Sequence, residues 1–206
     1  MGLSKRFAPP AARVRRRAPL GLADPAWVRD TTAVDAMAHY RQLLQLGREE
    51  FLAAAAPAAL VRFRGGDDLA PGSASTITMD DETVDDSTQP ASRPRLGDGL
   101  GDELEVYPLA KKPGASFPDR ITIGRTSNND VTIADPSVSR LHAYVKRAAN
   151  GWVIADAGSK NGSWLRGETL EARREKALSP RAVVRIGDVD LTFYLAADLY
   201  AALGGT

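Results

Sequence analysis

The sequence predicts a mainly β protein, a sandwich or barrel, with an N-terminal helical segment and a long linker ahead of it. Two observations carry that expectation. From residue 104 onward, short alternating or β-branched runs recur at close spacing: LEVYPLA, RITIG, DVTIA, LHAYVKR, WVIADA, VVRIG and VDLTFYLA. Gly, Asn, Asp, Ser or Pro clusters separate most of them, the punctuation of strands joined by tight turns. These runs also fit within about 90–95 residues, the size of one β-sandwich.

The segments follow in order. Residues 1–29 are rich in Pro, Arg and Ala without periodicity and read as a basic, disordered arm. The run ARVRRRA at 12–18 has the charge to touch nucleic acid, but it lacks interleaved aromatics and a folded basic face. A solubilising tail is the better reading, and nucleic acid is an unlikely partner. Residues 30–63 read as a helical segment of unknown role. Thr32 and Asp35 stand at capping-box spacing. Met37, Tyr40, Leu44, Gly47 and Phe51 recur every three or four residues, with Asp35, His39, Gln42, Gln45 and Glu49 on the opposite face. Pro57 is expected to stop or kink the helix. The apolar stripe must bury against a short helix (AALVRF), the main domain or another protein. Residues 64–103 have linker composition, poor in apolar side chains and rich in Gly, Asp, Ser, Thr and Pro. Residues 104–197 form the β domain, and 198–206 a short closing helix and tail.

Composition narrows the chemistry. The chain of 206 residues carries a net charge of +1, two histidines and no cysteine. That excludes a disulfide scaffold, a thiolate nucleophile and a cysteine-based zinc site. His39 has no second ligand at a metal-like spacing, so no metal or cofactor is expected. No apolar run approaches the ~18–20 residues that span a membrane. The basic opening leads into a proline-broken stretch rather than a secretory apolar region. A cytoplasmic protein without a membrane partner is expected.

The polar residues between the strands raise a sharper question. Ser139 precedes His142 by three positions, which invites a nucleophile and its base. No third group or G-x-S-x-G elbow accompanies them, and the neighbour Arg140 suits anion binding instead. Gly124-Arg125 ends one run, Ser137 to Arg140 precede another, and Gly158 to Ser163 follow a third. All three are connections between strands. Gathered at one end of a sandwich, they would offer two guanidinium groups, an ammonium, hydroxyls and an amide. A phosphate wants that donor set.

The pattern Gly124-Arg125, Ser139-x-x-His142 and Ser159-x-Asn161-Gly162 resembles the forkhead-associated (FHA) domain. The surrounding ITIGRTSNNDVTIADPSVSRLHAYV, WVIADAGSKNGSWLRGETL and VVRIGDVDLTFY are similar to that family over roughly residues 104–195. The resemblance implies a β-sandwich of about eleven strands that binds phosphothreonine peptides and catalyses nothing. It implies that Arg125, Ser139, Arg140 and Lys160 hold the phosphate, that Asn161 bonds the peptide main chain, and that Gly124, His142 and Gly162 shape the loops. Ser137 falls where the family sets preference at the third residue after phosphothreonine. Two departures stand out. Ser163 replaces a common Thr, and LSPRAVVRIG lacks the usual Asp-Gly turn.

The implied function is a phosphothreonine-reading adaptor in Ser/Thr kinase signalling, with phosphothreonine proteins and a Ser/Thr kinase as partners. The alternative is a structural or assembly scaffold that binds irrespective of phosphate. Thr83 and Thr78 each have an acid three residues on, in the acidic stretch TITMDDETVDD. Either is a candidate phosphosite for an intramolecular contact. About 20 residues of flexible chain span roughly 25 Å.

Overall fold

The computed structural model describes residues 33–64 and 104–205. The basic arm at 1–29, the Thr32 capping reading and the candidate phosphosites Thr78 and Thr83 lie outside the described residues. No described helix is long and apolar enough to cross a membrane.

The chain opens with α1 (Ala33–Leu46) and α2 (Arg48–Ala54). The break between them falls at Gly47, whose φ of 102° suits glycine, and α2 ends at Ala54, ahead of Pro57, where the helical segment was expected to stop. Eleven strands follow: β1 (Ala58–Phe63), β2 (Leu104–Pro108), β3 (Ile121–Gly124), β4 (Val131–Thr132), β5 (Ala143–Ala148), β6 (Gly151–Asp156), β7 (Ser163–Leu165), β8 (Glu168–Thr169), β9 (Lys176–Leu178), β10 (Val183–Ile186) and β11 (Val189–Leu195). The short helix α3 (Ala196–Ala202) closes the described chain. One sheet runs β2-β1-β11-β10-β7-β8 and the other β4-β3-β5-β6-β9.

Between the sheets, alternate strand residues build the main core: Leu60, Ile121, Ile123, Val145, Trp152, Ile154, Val184, Ile186, Leu191 and Phe193 are all buried. Trp152 meets Phe193 edge-on across the sheets, with centroids 6.0 Å apart. A second core forms on the outer face of the six-stranded sheet. There Ala59, Val61, Leu104 and Val106 pack against Met37, Tyr40, Leu43 and Phe51 of the first two helices and Leu199 and Tyr200 of α3. The helical stripe therefore buries against the β domain itself.

AALVRF is a strand, not the short helix considered from sequence. Its residues Ala58 to Val61 are buried on both faces, Ala58 and Leu60 toward the sandwich and Ala59 and Val61 toward the helices. A run buried on both faces has no alternation, and periodicity then cannot separate strand from helix. β1 lies between β2 and β11, with Phe63 opposite Leu104 and Ala58 opposite Leu195. The sandwich thus includes residues on both sides of 65–103, since β1 and β2 pair with each other.

The turn ahead of β10, where the usual Asp-Gly is missing, is built on Pro180 and Arg181. Ala182 N–H donates to the Ser179 carbonyl (3.1 Å), with Pro180 second in the turn and Arg181 third at φ 60°. This is the place where a type II turn normally takes glycine.

Candidate binding cleft

Three loops converge at one end of the sandwich: 125–130 between β3 and β4, 133–142 between β4 and β5, and 157–162 between β6 and β7. They line a cleft of about 1020 Å³ that includes Arg125, Ser137, Ser139, Arg140, Lys160 and Asn161. No carboxylate lines it, and among the described residues none lies within ion-pair distance of Arg125, Arg140 or Lys160. All three cations are exposed. The three segments singled out from sequence are therefore brought together.

The β3–β4 and β4–β5 loops are laced at the backbone. Arg125 N–H donates to the Ser139 carbonyl at 2.9 Å. The Arg140 carbonyl accepts from Asn129 Nδ2 (2.6 Å) and Thr126 Oγ1 (3.1 Å). Arg140 itself is exposed and lines the cleft. Gly124 is required by this close approach: a Cβ there would lie 2.2 Å from the Arg140 carbonyl oxygen.

His142 ties the second loop to the third. Its ring is fully buried. Nδ1 accepts from Ser139 N–H at 2.9 Å, so Nε2 carries the proton and donates to the Gly162 carbonyl at 2.9 Å. The imidazole thus meets the backbone of Ser139 and not its hydroxyl, and no nucleophile–base hydrogen bond exists between them. Ser139 Oγ instead accepts from Lys160 N–H at 3.0 Å, and Ser139 lines the cleft. Gly162, at φ 84°, makes the turn that returns the chain to β7. Asn161 Nδ2 donates to the Ser137 carbonyl at 2.7 Å, fixing the plane of its amide.

Among the polar residues that escaped the sequence reading are Asn129 and Asp156. Asn129 is buried and clamps Arg140, as above. Asp156 is buried at the end of β6, where its carboxylate accepts from Gly158 N–H (2.7 Å), Ser159 N–H (2.8 Å), Ser159 Oγ (2.7 Å) and Ser163 Oγ (2.6 Å). Burial alone would raise its pKa. The hydrogen bonds from Ser163, Ser159 and Gly158 outweigh it and hold the carboxyl below its ordinary value. The signal was present in Asp156-Ala157-Gly158-Ser159, an Asx-turn sequence directly after an apolar strand.

The family model of the FHA domain matches residues 121–187, which contain all three loops. Residues 121–187 carry an FHA domain. It is 30% identical over 96 residues to an FHA domain-containing protein of Arabidopsis thaliana, covering 46% of this chain and 22% of that protein. It is 31% identical over 90 residues to an ABC transporter ATP-binding/permease protein of Mycobacterium tuberculosis, covering 44% and 10%. It is 35% identical over 72 residues to an oxoglutarate dehydrogenase inhibitor of Corynebacterium diphtheriae, covering 35% and 48%. The chain spans less than half the length of these curated relatives. FHA domains are interaction modules.

Proposed function

We propose that this FHA domain binds phosphothreonine peptides and serves as an adaptor in cytoplasmic Ser/Thr kinase signalling. One observation carries the reading: Arg125, Arg140 and Lys160 converge with the Ser139 hydroxyl on a cleft without a carboxylate. A phosphate monoester brings a charge of about −1.5 to −2 at pH 7 and three strong acceptors. Arg125 and Arg140 supply forked donors, Lys160 a point charge and Ser139 a neutral hydroxyl. Asn161, its Nδ2 engaged with Ser137, offers its remaining amide capacity to an extended main chain.

The finer proposal concerns the source of the phosphate. Residues 65–103 hold Thr78 and Thr83 within their acidic stretch. Both ends of that segment lie at the cleft end of the sandwich: Phe63 pairs with Leu104, and Arg62 meets Asp135 of the loop ahead of Ser137 at 3.7 Å. A kinase that phosphorylates Thr83 or Thr78 would place a ligand on a short tether beside its site.

The test is a titration of the full chain with a degenerate phosphothreonine peptide mixture, its unphosphorylated counterpart and a phosphoserine version. Binding restricted to phosphothreonine and abolished by Arg125→Ala is expected. Equal binding by parent and Arg125→Ala would refute the adaptor reading in favour of a phosphate-independent scaffold. Mass spectrometry of protein from kinase-active cells tests the finer proposal, which fails if both threonines are unmodified.

A further inference from the structure

We infer that Arg62 and Asp135 are positioning residues for the cleft, and that β1 is thereby part of the binding machinery although it lies outside the 121–187 match. The chain of contacts starts in the hairpin of β1 and β2. Glu105, buried, receives Arg64 at 2.6 Å, Arg62 at 3.6 Å and the Tyr107 hydroxyl at 2.9 Å. The second terminal nitrogen of Arg62 reaches Asp135 Oδ2 at 3.7 Å. The other oxygen, Oδ1, accepts from Ser137 N–H at 3.0 Å and from Ser137 Oγ at 2.6 Å.

Ser137 is the junction. Its hydroxyl gives its proton to Asp135 and accepts from Asp188 N–H at 2.9 Å, while its carbonyl accepts from Asn161 Nδ2 at 2.7 Å. Gly187 leaves room for this, since a Cβ there would sit 2.7 Å from both Ser137 oxygens. Asp135 fixes the N–H and the hydroxyl of Ser137, and the carbonyl of the same residue, in the next peptide group, receives the Asn161 amide. A hydroxyl bonded on both sides has one orientation, and a charge-assisted acceptor makes it the strong one. The Ser137 hydrogen bond is also the leading reason the Asp135 carboxyl lies below its ordinary pKa, helped by the Arg62 charge against partial burial. The ion pair itself is half-open to water, so Arg62 orients and Asp135 holds.

The inference rests on the phosphothreonine reading for its affinity arm only, and two readouts keep the two apart. In the ligand-free full chain, the Asn161 side-chain amide peaks in a ¹H–¹⁵N spectrum should move in Asp135→Ala and, less far, in Arg62→Met. They should stay in place in Arg125→Ala and return toward the parent position in Arg62→Lys. With the phosphothreonine peptide that binds best from the degenerate mixture, Arg62→Met should weaken binding about three- to fivefold, and Asp135→Ala roughly tenfold or more. In an Asn161→Ala background both effects should disappear, since a residue acting through Asn161 has nothing further to lose. A merely structural role would give additive losses. Unmoved Asn161 amide peaks in Asp135→Ala overturn the relay, and so does a full loss of affinity persisting in the Asn161→Ala background. If the parent binds no phosphothreonine peptide, the adaptor reading falls while the amide peaks still decide the relay. Should Asp135→Ala fail to fold, Ser137→Ala and Arg62→Met carry the same readouts.

Discussion

Replacing His142 by alanine tests the architecture of the cleft at its tightest joint. The imidazole is fully buried and makes two hydrogen bonds, from Ser139 N–H to Nδ1 and from Nε2 to the Gly162 carbonyl, each 2.9 Å. Alanine strips the partner from one backbone donor and one backbone acceptor where little water reaches. Each stranded group costs about 1–3 kcal/mol. The vacated ring adds a cavity that the two loops partly refill. Together these give a loss of about 3–4 kcal/mol, or roughly 8–14 °C in Tm for a chain of this size. Urea unfolding followed by tryptophan fluorescence measures it directly. His142→Asn should recover about half of the loss, since its side-chain oxygen stands where Nδ1 accepts from Ser139. A loss under about 1 kcal/mol for His142→Ala would refute the cross-brace reasoning. Such a result would mean that the loops meet through contacts other than the ring.

Three further outcomes are expected. Gly124→Ala places a Cβ 2.2 Å from the Arg140 carbonyl oxygen, so the first two loops must separate; phosphopeptide affinity should fall at least tenfold, with about 2–3 kcal/mol lost in stability by urea unfolding. Residues 104–206 alone should fail to give a dispersed amide spectrum, whereas 33–206 should give one, because removing β1 strips the ladder partners from β2 and β11 and deletes fully buried Leu60. Asp156 should govern part of the acid response. Its folded pKa is depressed, so its contribution is complete above the unfolded value of about 3.9 and is lost as pH falls through the folded value. Unfolding midpoints should therefore drop below about pH 4 in the parent and less steeply in Asp156→Asn, and parallel curves would contradict this.

The sandwich was legible because seven of its strands are alternating or β-branched runs, most of them bounded by turn residues, and because a donor-rich set of loop residues is recognisable as a set. What escaped has physical causes. β1 is apolar on both faces, so its four buried residues carry no period. β8 is two exposed residues and β7 and β9 three each, too short for any pattern to register. The helical stripe was readable, but Leu43 was missed and Gly47 was counted on the stripe, although its φ breaks the helix there. At the cleft, the side chains that line it were legible, while most of those that hold its loops were not. Asn129 acts through the Arg140 carbonyl of another loop, which nothing local in the sequence states, whereas Asp135 and Asp156 hold residues two or three positions further on.

That division between facing and holding residues has an electrostatic logic. Asp130 anchors the base of the first loop, accepting from Thr122 N–H, Lys112 N–H and the Lys111 ammonium. Asp135 anchors the second through Ser137, and Asp156 the third through Gly158 and Ser159. Each loop thus has one carboxylate behind it, and none of the three lines the cleft. Each is turned toward its own donors: Asp130 toward Lys111, Asp135 toward Arg62, and Asp156 toward two N–H groups and two hydroxyls. A carboxylate satisfied by local donors projects little field toward an anion several ångströms away, and solvent in an open cleft screens the remainder. The same acid placed among Arg125, Arg140 and Lys160 would form a salt bridge that an incoming phosphate must displace. The fold obtains rigid loops from charged hydrogen bonds while keeping the cleft positive, and any exchange of these roles should be felt as lost affinity before it is felt as lost stability. Asn128, exposed in the cleft lining beside Thr126, provides the test. Asn128→Asp should leave the unfolding midpoint within the ordinary surface range of about ±0.5 kcal/mol. It should nevertheless weaken phosphopeptide binding severalfold at low salt, less at high salt. Equal affinities at both salt concentrations would show that charge placement in the cleft is not what the holding carboxylates protect.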